Sequence, residues 1–363
     1  MRSSTSSSSP WERPLPRVSF KGAALLALVL TVAGTAAWEL YWRSRGYGAT
    51  VKNSDGLWAL HRRQAVAGDG RRTVIVGSSR ILFDVDLATW AEVVGSDLPV
   101  QLALEGTPPV RFIQDLADDP RFRGFLVVGY TGGLFFAPID GERGKILQTF
   151  ADETPADRWG QRLAMVLEQR LAFLDDDPRL ANLIEKAPWP ARPGLAPQLP
   201  KVPRISEMQP NREATMWSRV EDDPKYRERV RAVWLAIIGD FDGPPPPPEV
   251  VARMEEGLAR SMDQVAAAVA TIRSRGGEVI FVRCPAAGPW LQLESRIAPP
   301  EKVWKGLLEA TGAVGFDFEE HPELQGFELP EWSHLRAADQ EPFTRGLAAL
   351  ARPHWQAWRR SLD

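Results

Sequence analysis

Two short stretches carry residue types that could do nucleophilic chemistry together. Gly77-Ser78-Ser79-Arg80 follows an apolar run and precedes a helix-like segment. A serine placed there sits at a helix N-terminus, where free N–H groups and the dipole favour developing negative charge. Far downstream, Glu331-Trp332-Ser333-His334-Leu335 sets a carboxylate three residues before an imidazole. A carboxylate so placed orients the ring and stabilises its protonated form, leaving the other nitrogen to take a proton from an alcohol. Each stretch also has a plain structural reading, the serines as helix caps and His334 as a surface or core residue. The chain has four histidines, and the others are His61, His321 and His354. His321 and His354 have no partner pattern and read as structural.

Five short apolar runs are the elements that must position these residues: Thr73–Val76, Val100–Leu104, Gly124–Gly129, Glu278–Cys284 and Val314–Phe318. They read as buried parallel strands. Between them lie helical patterns, the clearest over Glu249–Arg275, where Val251, Met254, Leu258, Met262, Val265, Val269 and Ile272 make one face. Gly276-Gly277 then ends it. Alternation of this kind predicts an α/β fold, with a five-stranded parallel sheet between helical layers.

The stretch of about 140–248 breaks the alternation and reads as a helical, proline-rich insertion over one sheet edge. It has amphipathic patterns near Asp157–Leu174 and Lys225–Ile238, and Pro188, Pro190, Pro193, Pro197, Pro200 and Pro203 crowd between them. Prolines that dense exclude helix and central strand. Pro244–Pro248 reads as a stiff connector.

In open parallel sheets, ligands bind beyond the carboxyl ends of the strands. Ser79, Gly106 and Thr131 each follow such an end, and His334 lies in the loop after the last one. Four residues from distant parts of the chain should therefore converge on one edge.

At the N-terminus, residues 1–19 read as a serine-rich disordered tail. Gly22 to Trp38 carry no charge, and Leu40, Tyr41 and Trp42 extend the run, predicting a transmembrane anchor over 20–42. A cleaved signal peptide and a buried core helix are the competing readings, the first because Thr35-Ala36-Ala37 offers small residues. Arg2, Arg13, Arg17 and Lys21 precede the run, while Arg43, Arg45 and Lys52 follow it. That bias favours a cytoplasmic N-terminus and a single pass through the inner membrane, with the main domain periplasmic. Residues 43–71 are then a connector, and 72–363 the main domain.

The net charge of -3 gives no basic excess for nucleic acid. One cysteine, Cys284, excludes an intrachain disulfide and argues against a cysteine zinc site. Asp84 and Asp86 read as a solvated face rather than metal ligands, and no cofactor is expected. No Gly-x-Gly-x-x-Gly or P-loop follows the first strand, which argues against nucleotide binding.

Over roughly 72–136 and 278–350 the chain resembles the SGNH (GDSL-like) hydrolase family, whose domain is a three-layer, flavodoxin-like sandwich. Gly77-Ser78-Ser79 looks like the family's Gly-Asp-Ser block, which selects Ser79 as nucleophile. Leu104-Glu105-Gly106 is similar to the second block, whose glycine N–H joins the oxyanion hole, and Gly129-Tyr130-Thr131 stands where the family has Gly-x-Asn. Glu331 to His334 matches Asp-x-x-His, implying a catalytic Ser79, His334 and Glu331. The resemblance gives Ser79, Gly106 and Thr131 to the oxyanion hole. Thr131 for asparagine and Glu331 for aspartate depart from the pattern, and a weakened oxyanion donor can cost about 10²–10³ in rate. Phe281-Val282-Arg283-Cys284-Pro285 and Ser333-His334-Leu335 with Phe343-Thr344 also resemble SGNH-like envelope proteins of bacterial polysaccharide O-acetylation.

The resemblance implies a membrane-anchored serine esterase or O-acyltransferase working on acyl, above all acetyl, groups of an envelope polysaccharide. Its partners would be an acylated saccharide or other ester and a membrane-bound O-acyltransferase. The alternative is a catalytically weak or inactive SGNH-like protein that binds glycan or supports such an acyltransferase. Arg80 could meet an anionic substrate or be structurally paired, and Trp290 and Trp332 are candidates to line a sugar cleft.

Overall fold

The computed structural model describes residues 20–137, 143–179, 182, 184, 202–239 and 247–362. It divides into two units at Tyr47/Gly48. In the first, Phe20–Ser44 is a single helix, and it is the one helix among the described residues long and apolar enough to cross a membrane. Its one acid, Glu39, is bonded by Arg43 at 2.6 Å near the C-terminal end. Trp38, Tyr41 and Trp42 cluster there, with ring centroids 5.2–5.8 Å apart.

The second unit is built on a parallel five-stranded sheet flanked by helices. Its strands are β1 (Thr73–Val76), β2 (Val100–Gln101), β3 (Phe125–Tyr130), β6 (Glu278–Arg283) and β7 (Val314–Asp317), in spatial order β2-β1-β3-β6-β7. Side chains alternate between faces along a strand. Val74, Val76, Leu126, Val128, Val279 and Phe281 accordingly join one core cluster, with Phe112, Val269 and Trp304 from the helices Val110–Asp118, Pro248–Ser274 and Val303–Thr311. Ile75, Val127, Ile280 and Val282 join a second cluster. Its helical members include Phe83, Trp90 and Leu347, from Ser79–Asp84, Leu87–Val94 and Ala337–Arg360. Burial on both sides explains why the strands read as unbroken apolar runs.

Four differences from the sequence expectation have physical causes. The second strand ends at Gln101, but the chain stays extended beyond it, with Leu102 and Leu104 N–H bonding Ile75 and Gly77 carbonyls at 2.8 and 3.0 Å. The long helix Pro248–Ser274 buries only Val265, Ala268, Val269 and Ile272, all in its second half, and Met254 in its first half stays 57% exposed. The supposed connector holds the helix Asp55–Gln64, whose Leu57, Trp58 and Ala59 are fully buried, so the folded domain starts well before residue 72. The stretch of about 140–248 carries, besides the helices Pro155–Glu168 and Pro224–Ile238, an antiparallel hairpin of β4 (Ser206–Met208) and β5 (Ala214–Met216) that the proline-dominated pattern hid. The proline cluster from Pro188 to Pro200 and the residues Pro244 to Pro246 lie outside the described residues.

Candidate active site

The helix Ser79–Asp84 starts two residues after β1. Gly77 makes that turn at a φ of 152°, a conformation that glycine adopts freely. A Cβ at Gly77 or at Gly129 of β3 would lie 2.5 Å from Ile81 Cγ2, so both glycines let this helix settle onto the sheet. Ser79, the expected nucleophile, is the first residue of the helix and is half-buried. Ser78 is fully buried in the N-cap position but makes no side-chain cap bond. Its hydroxyl instead meets the Thr131 hydroxyl at 2.5 Å, across the ends of β1 and β3.

The loop Glu331–Leu335 lies along this helix and touches it three times. Arg80 Nε donates to Ser333 Oγ at 3.3 Å. His334 stacks on Phe83 with centroids 4.4 Å apart. Leu335 N–H donates to Asp84 Oδ1 at 3.2 Å. Behind the loop, Thr344 Oγ1 accepts from Asp86 N–H at 2.8 Å, tying the C-terminal helix to the same segment. The two stretches singled out by residue type are therefore neighbours in space.

Within the loop, Glu331 Oε1 faces His334 Nδ1 at 2.9 Å and accepts the His334 backbone N–H at 2.7 Å. Trp332 allows this fold-back with a left-handed φ of 73°, which costs a bulky residue about 1 kcal/mol. Glu331 Oε2 accepts from the indole Nε1 of Trp234, on the helix Pro224–Ile238. Burial pushes the Glu331 carboxyl up, but His334, Trp234 and the backbone N–H outweigh it and hold the group below its ordinary value, as a carboxylate. His334 Nε2 is buried and has no hydrogen-bond partner among the described residues. No hydrogen bond joins it to Ser79 in this conformation.

The remaining candidates divide. Gly106 is exposed, with a left-handed φ of 56°, and the Leu104–Gly77 bond holds its segment beside the first motif. Trp332 lies under the Arg231 guanidinium, 4.9 Å from its ring centroid, and Trp290 packs edge-on against Trp234 at 5.8 Å. Both are half-buried and belong to the wall around Glu331. Arg80 is 1% exposed, and Glu294 grips its guanidinium with both carboxylate oxygens, so the structurally paired reading describes it. Gly132 leaves the space for this grip, since a Cβ there would lie 2.4 Å from Glu294 Cγ.

Asp84 is not on a solvated face. It is fully buried because its helix lies under the His334 loop, and burial drives its carboxyl well above the ordinary value. Asp86 caps the next helix through Thr89 N–H at 2.6 Å. His321 and His354 both pack edge-on against Phe316. Among the described residues, no group of three or more His, Cys, Asp or Glu could hold a metal ion. A cavity of about 200 Å³ opens elsewhere, among Lys52, Asn53, Glu105, Asp175 and Arg204, and none of Ser79, Thr131 or His334 lines it.

Sequence reasoning missed Trp234, Glu294, Phe83 and Arg231 as parts of this site. Trp234 and Arg231 lie on the helix Pro224–Ile238, whose periodicity says nothing about which loop it covers. Phe83 and Glu294 look like ordinary helix residues until the loop is seen against them.

The chain matches no protein-family model and no curated protein.

Proposed function

We infer that this is a membrane-anchored serine esterase or O-acyltransferase of the SGNH type, with a three-layer sandwich, a proline-rich insertion and an extracytoplasmic domain. The observation that carries it is the alignment of the Glu331–Leu335 loop along the helix that Ser79 begins. The loop's imidazole has one nitrogen on a carboxylate and the other unpaired, and the helix it packs against begins with the half-buried Ser79.

In the reaction, His334 Nε2 takes the Ser79 Oγ proton as Oγ attacks an ester carbonyl. Glu331 holds Nδ1–H and stabilises the imidazolium. Backbone N–H groups of Ser79 and Gly106 receive the oxyanion, each worth about 2.7–4 kcal/mol at the transition state. The tetrahedral adduct collapses, His334 returns its proton to the leaving alkoxide, and the acyl group stays on Ser79. Water or a sugar hydroxyl, deprotonated by His334, then releases it. A held sugar hydroxyl outcompetes water because oriented reactants reach effective molarities of about 10⁵ M or more. An envelope polysaccharide bearing acetyl groups is the substrate class, and a membrane-bound O-acyltransferase is the partner that would supply or share the acyl group.

One observation favours the second reading, a quiet glycan-binding or scaffolding relative. The Thr131 hydroxyl, which stands where the family's third oxyanion donor would be, is hydrogen-bonded with the Ser78 hydroxyl. Incubating the full chain in nanodiscs with p-nitrophenyl acetate separates the two. Release of nitrophenol with an acetyl group trapped on Ser79, abolished in Ser79→Ala, is expected. Equal rates for the two proteins would overturn the assignment of Ser79 and favour the scaffold.

A further inference from the structure

The insertion helix Pro155–Glu168 carries an apolar stripe that covers no core. Trp159, Leu163, Val166 and Leu167 are 63, 65, 46 and 53% exposed. Their spacing puts them on one helical face. The opposite face holds the domain: Gln161 accepts from Ser54 Oγ at 2.7 Å, Met165 packs on the core, and Glu168 accepts Lys52 N–H at 3.1 Å. Arg158, Arg162 and Arg170 stand on the same helix or just past its end, with the Arg162 guanidinium 5.1 Å from the Trp159 ring centroid. Four large apolar side chains exposed together mark a surface made for a partner.

The covalent chain says which partner. Lys52 follows Ser44, the last residue of the apolar N-terminal helix, by only eight positions. Fully extended, that length of chain spans at most about 29 Å. Lys52 is bonded to the C-terminal end of the striped helix, so the stripe is leashed to wherever Phe20–Ser44 ends. A helix with Trp and Leu on one face and arginines beside it suits the headgroup–acyl boundary of an anionic bilayer. Trp159 fits that depth, since an indole has an apolar body and a polar N–H.

We propose that Pro155–Glu168 lies in the interface of the same bilayer that Phe20–Ser44 crosses, as a second and reversible attachment that holds the catalytic domain against the membrane. This rests on the reading of Phe20–Ser44 as a membrane span. Ester substrates carried on lipid or on a membrane partner would then meet a domain of fixed height rather than one swinging on a leash.

The only native cysteine is buried, so an introduced one takes a label selectively. Full chains carrying Leu163→Cys, Leu30→Cys or Arg260→Cys are labelled with an environment-sensitive nitrobenzoxadiazole dye. They are reconstituted in nanodiscs of phosphatidylethanolamine and phosphatidylglycerol. The Arg260 side chain is 70% exposed and serves as the reference in water. For position 163, the expectation is blue-shifted emission, quenching by lipids with a doxyl group near the headgroup, and little quenching by iodide. Quenching by iodide as at position 260 overturns the proposal. So does protection from both quenchers, which would mean that protein covers the stripe, as another segment, a second copy or a partner. Position 30 keeps the two readings apart. Quenching there by deep doxyl lipids without lipid quenching at 163 overturns the proposal alone. No lipid quenching at 30 overturns the membrane span and the proposal with it.

Discussion

The His334 imidazole lies face to face with the Phe83 ring, 4.4 Å between centroids, and Phe83 stands one helical turn beyond Ser79 on the same face of one helix. The base candidate is thus held by an aromatic floor on the helix that the nucleophile candidate begins. Its Nδ1 edge is fixed by Glu331, and its Nε2 edge is left unpaired. The helix Ser79–Asp84 supplies the serine and the aromatic floor, the loop Glu331–Leu335 supplies the ring and its carboxylate, and each can be disturbed alone.

Ser79→Ala should lower esterase kcat by on the order of 10⁴ or more, since a missing nucleophile abolishes the acyl-enzyme. Ser78→Ala removes one neutral hydrogen bond to Thr131 and should change the rate by no more than about tenfold. Steady-state kinetics on p-nitrophenyl acetate compares the two. The reverse order would make Ser78 the nucleophile.

Trp234→Phe keeps the ring but withdraws the N–H from the buried Glu331 carboxylate. Losing a bond to a charged group should cost about 1.5–3 kcal/mol in urea unfolding. The sign of the pH effect follows from the depressed carboxyl. Its stabilisation is present above the unfolded value and lost as pH falls through the lower folded one. Without the indole the folded value rises, so the acid limb of stability should move to higher pH. An unmoved limb would remove Trp234 from the site.

Arg80→Met should destabilise the fold by about 3–5 kcal/mol, because it strands the Glu294 carboxylate in the interior. Arg80→Met combined with Glu294→Met should recover most of that loss in thermal unfolding. A stable single variant with a raised KM for anionic esters alone would return Arg80 to substrate binding.

Asp84→Asn should stabilise the protein more at high pH than at low pH. Burial raises the Asp84 carboxyl in the folded state, so the folded chain binds the proton more tightly than the unfolded one. Stability from this group is therefore full below the ordinary aspartate value of 3.8 and falls as pH rises toward the folded value. The amide keeps an acceptor for Leu335 N–H and loses the titration. The difference in Tm between the variant and the parent should widen as pH rises above about 4. A constant difference would mean that Asp84 does not titrate in the folded chain.

Strand positions, the long helices and the apolar N-terminal helix were legible in the sequence because burial on both sheet faces and helical periodicity act on near neighbours. Thr73–Val76 kept its bounds, and Pro224–Ile238 began one residue before the expected start. The meeting of the two motifs was legible too, since a parallel sheet sends the loops at its carboxyl ends to one edge. What surrounds them depended on contacts between residues far apart in the chain. Trp234 reaches Glu331 across 97 positions, Glu294 reaches Arg80 across 214, and Asp84 is buried by a loop 251 positions away. Local pattern carries no information about such pairs. A carboxylate on a short helix looks solvated until the fold lays another segment over it, and only the tertiary structure decides which polar groups lose their water.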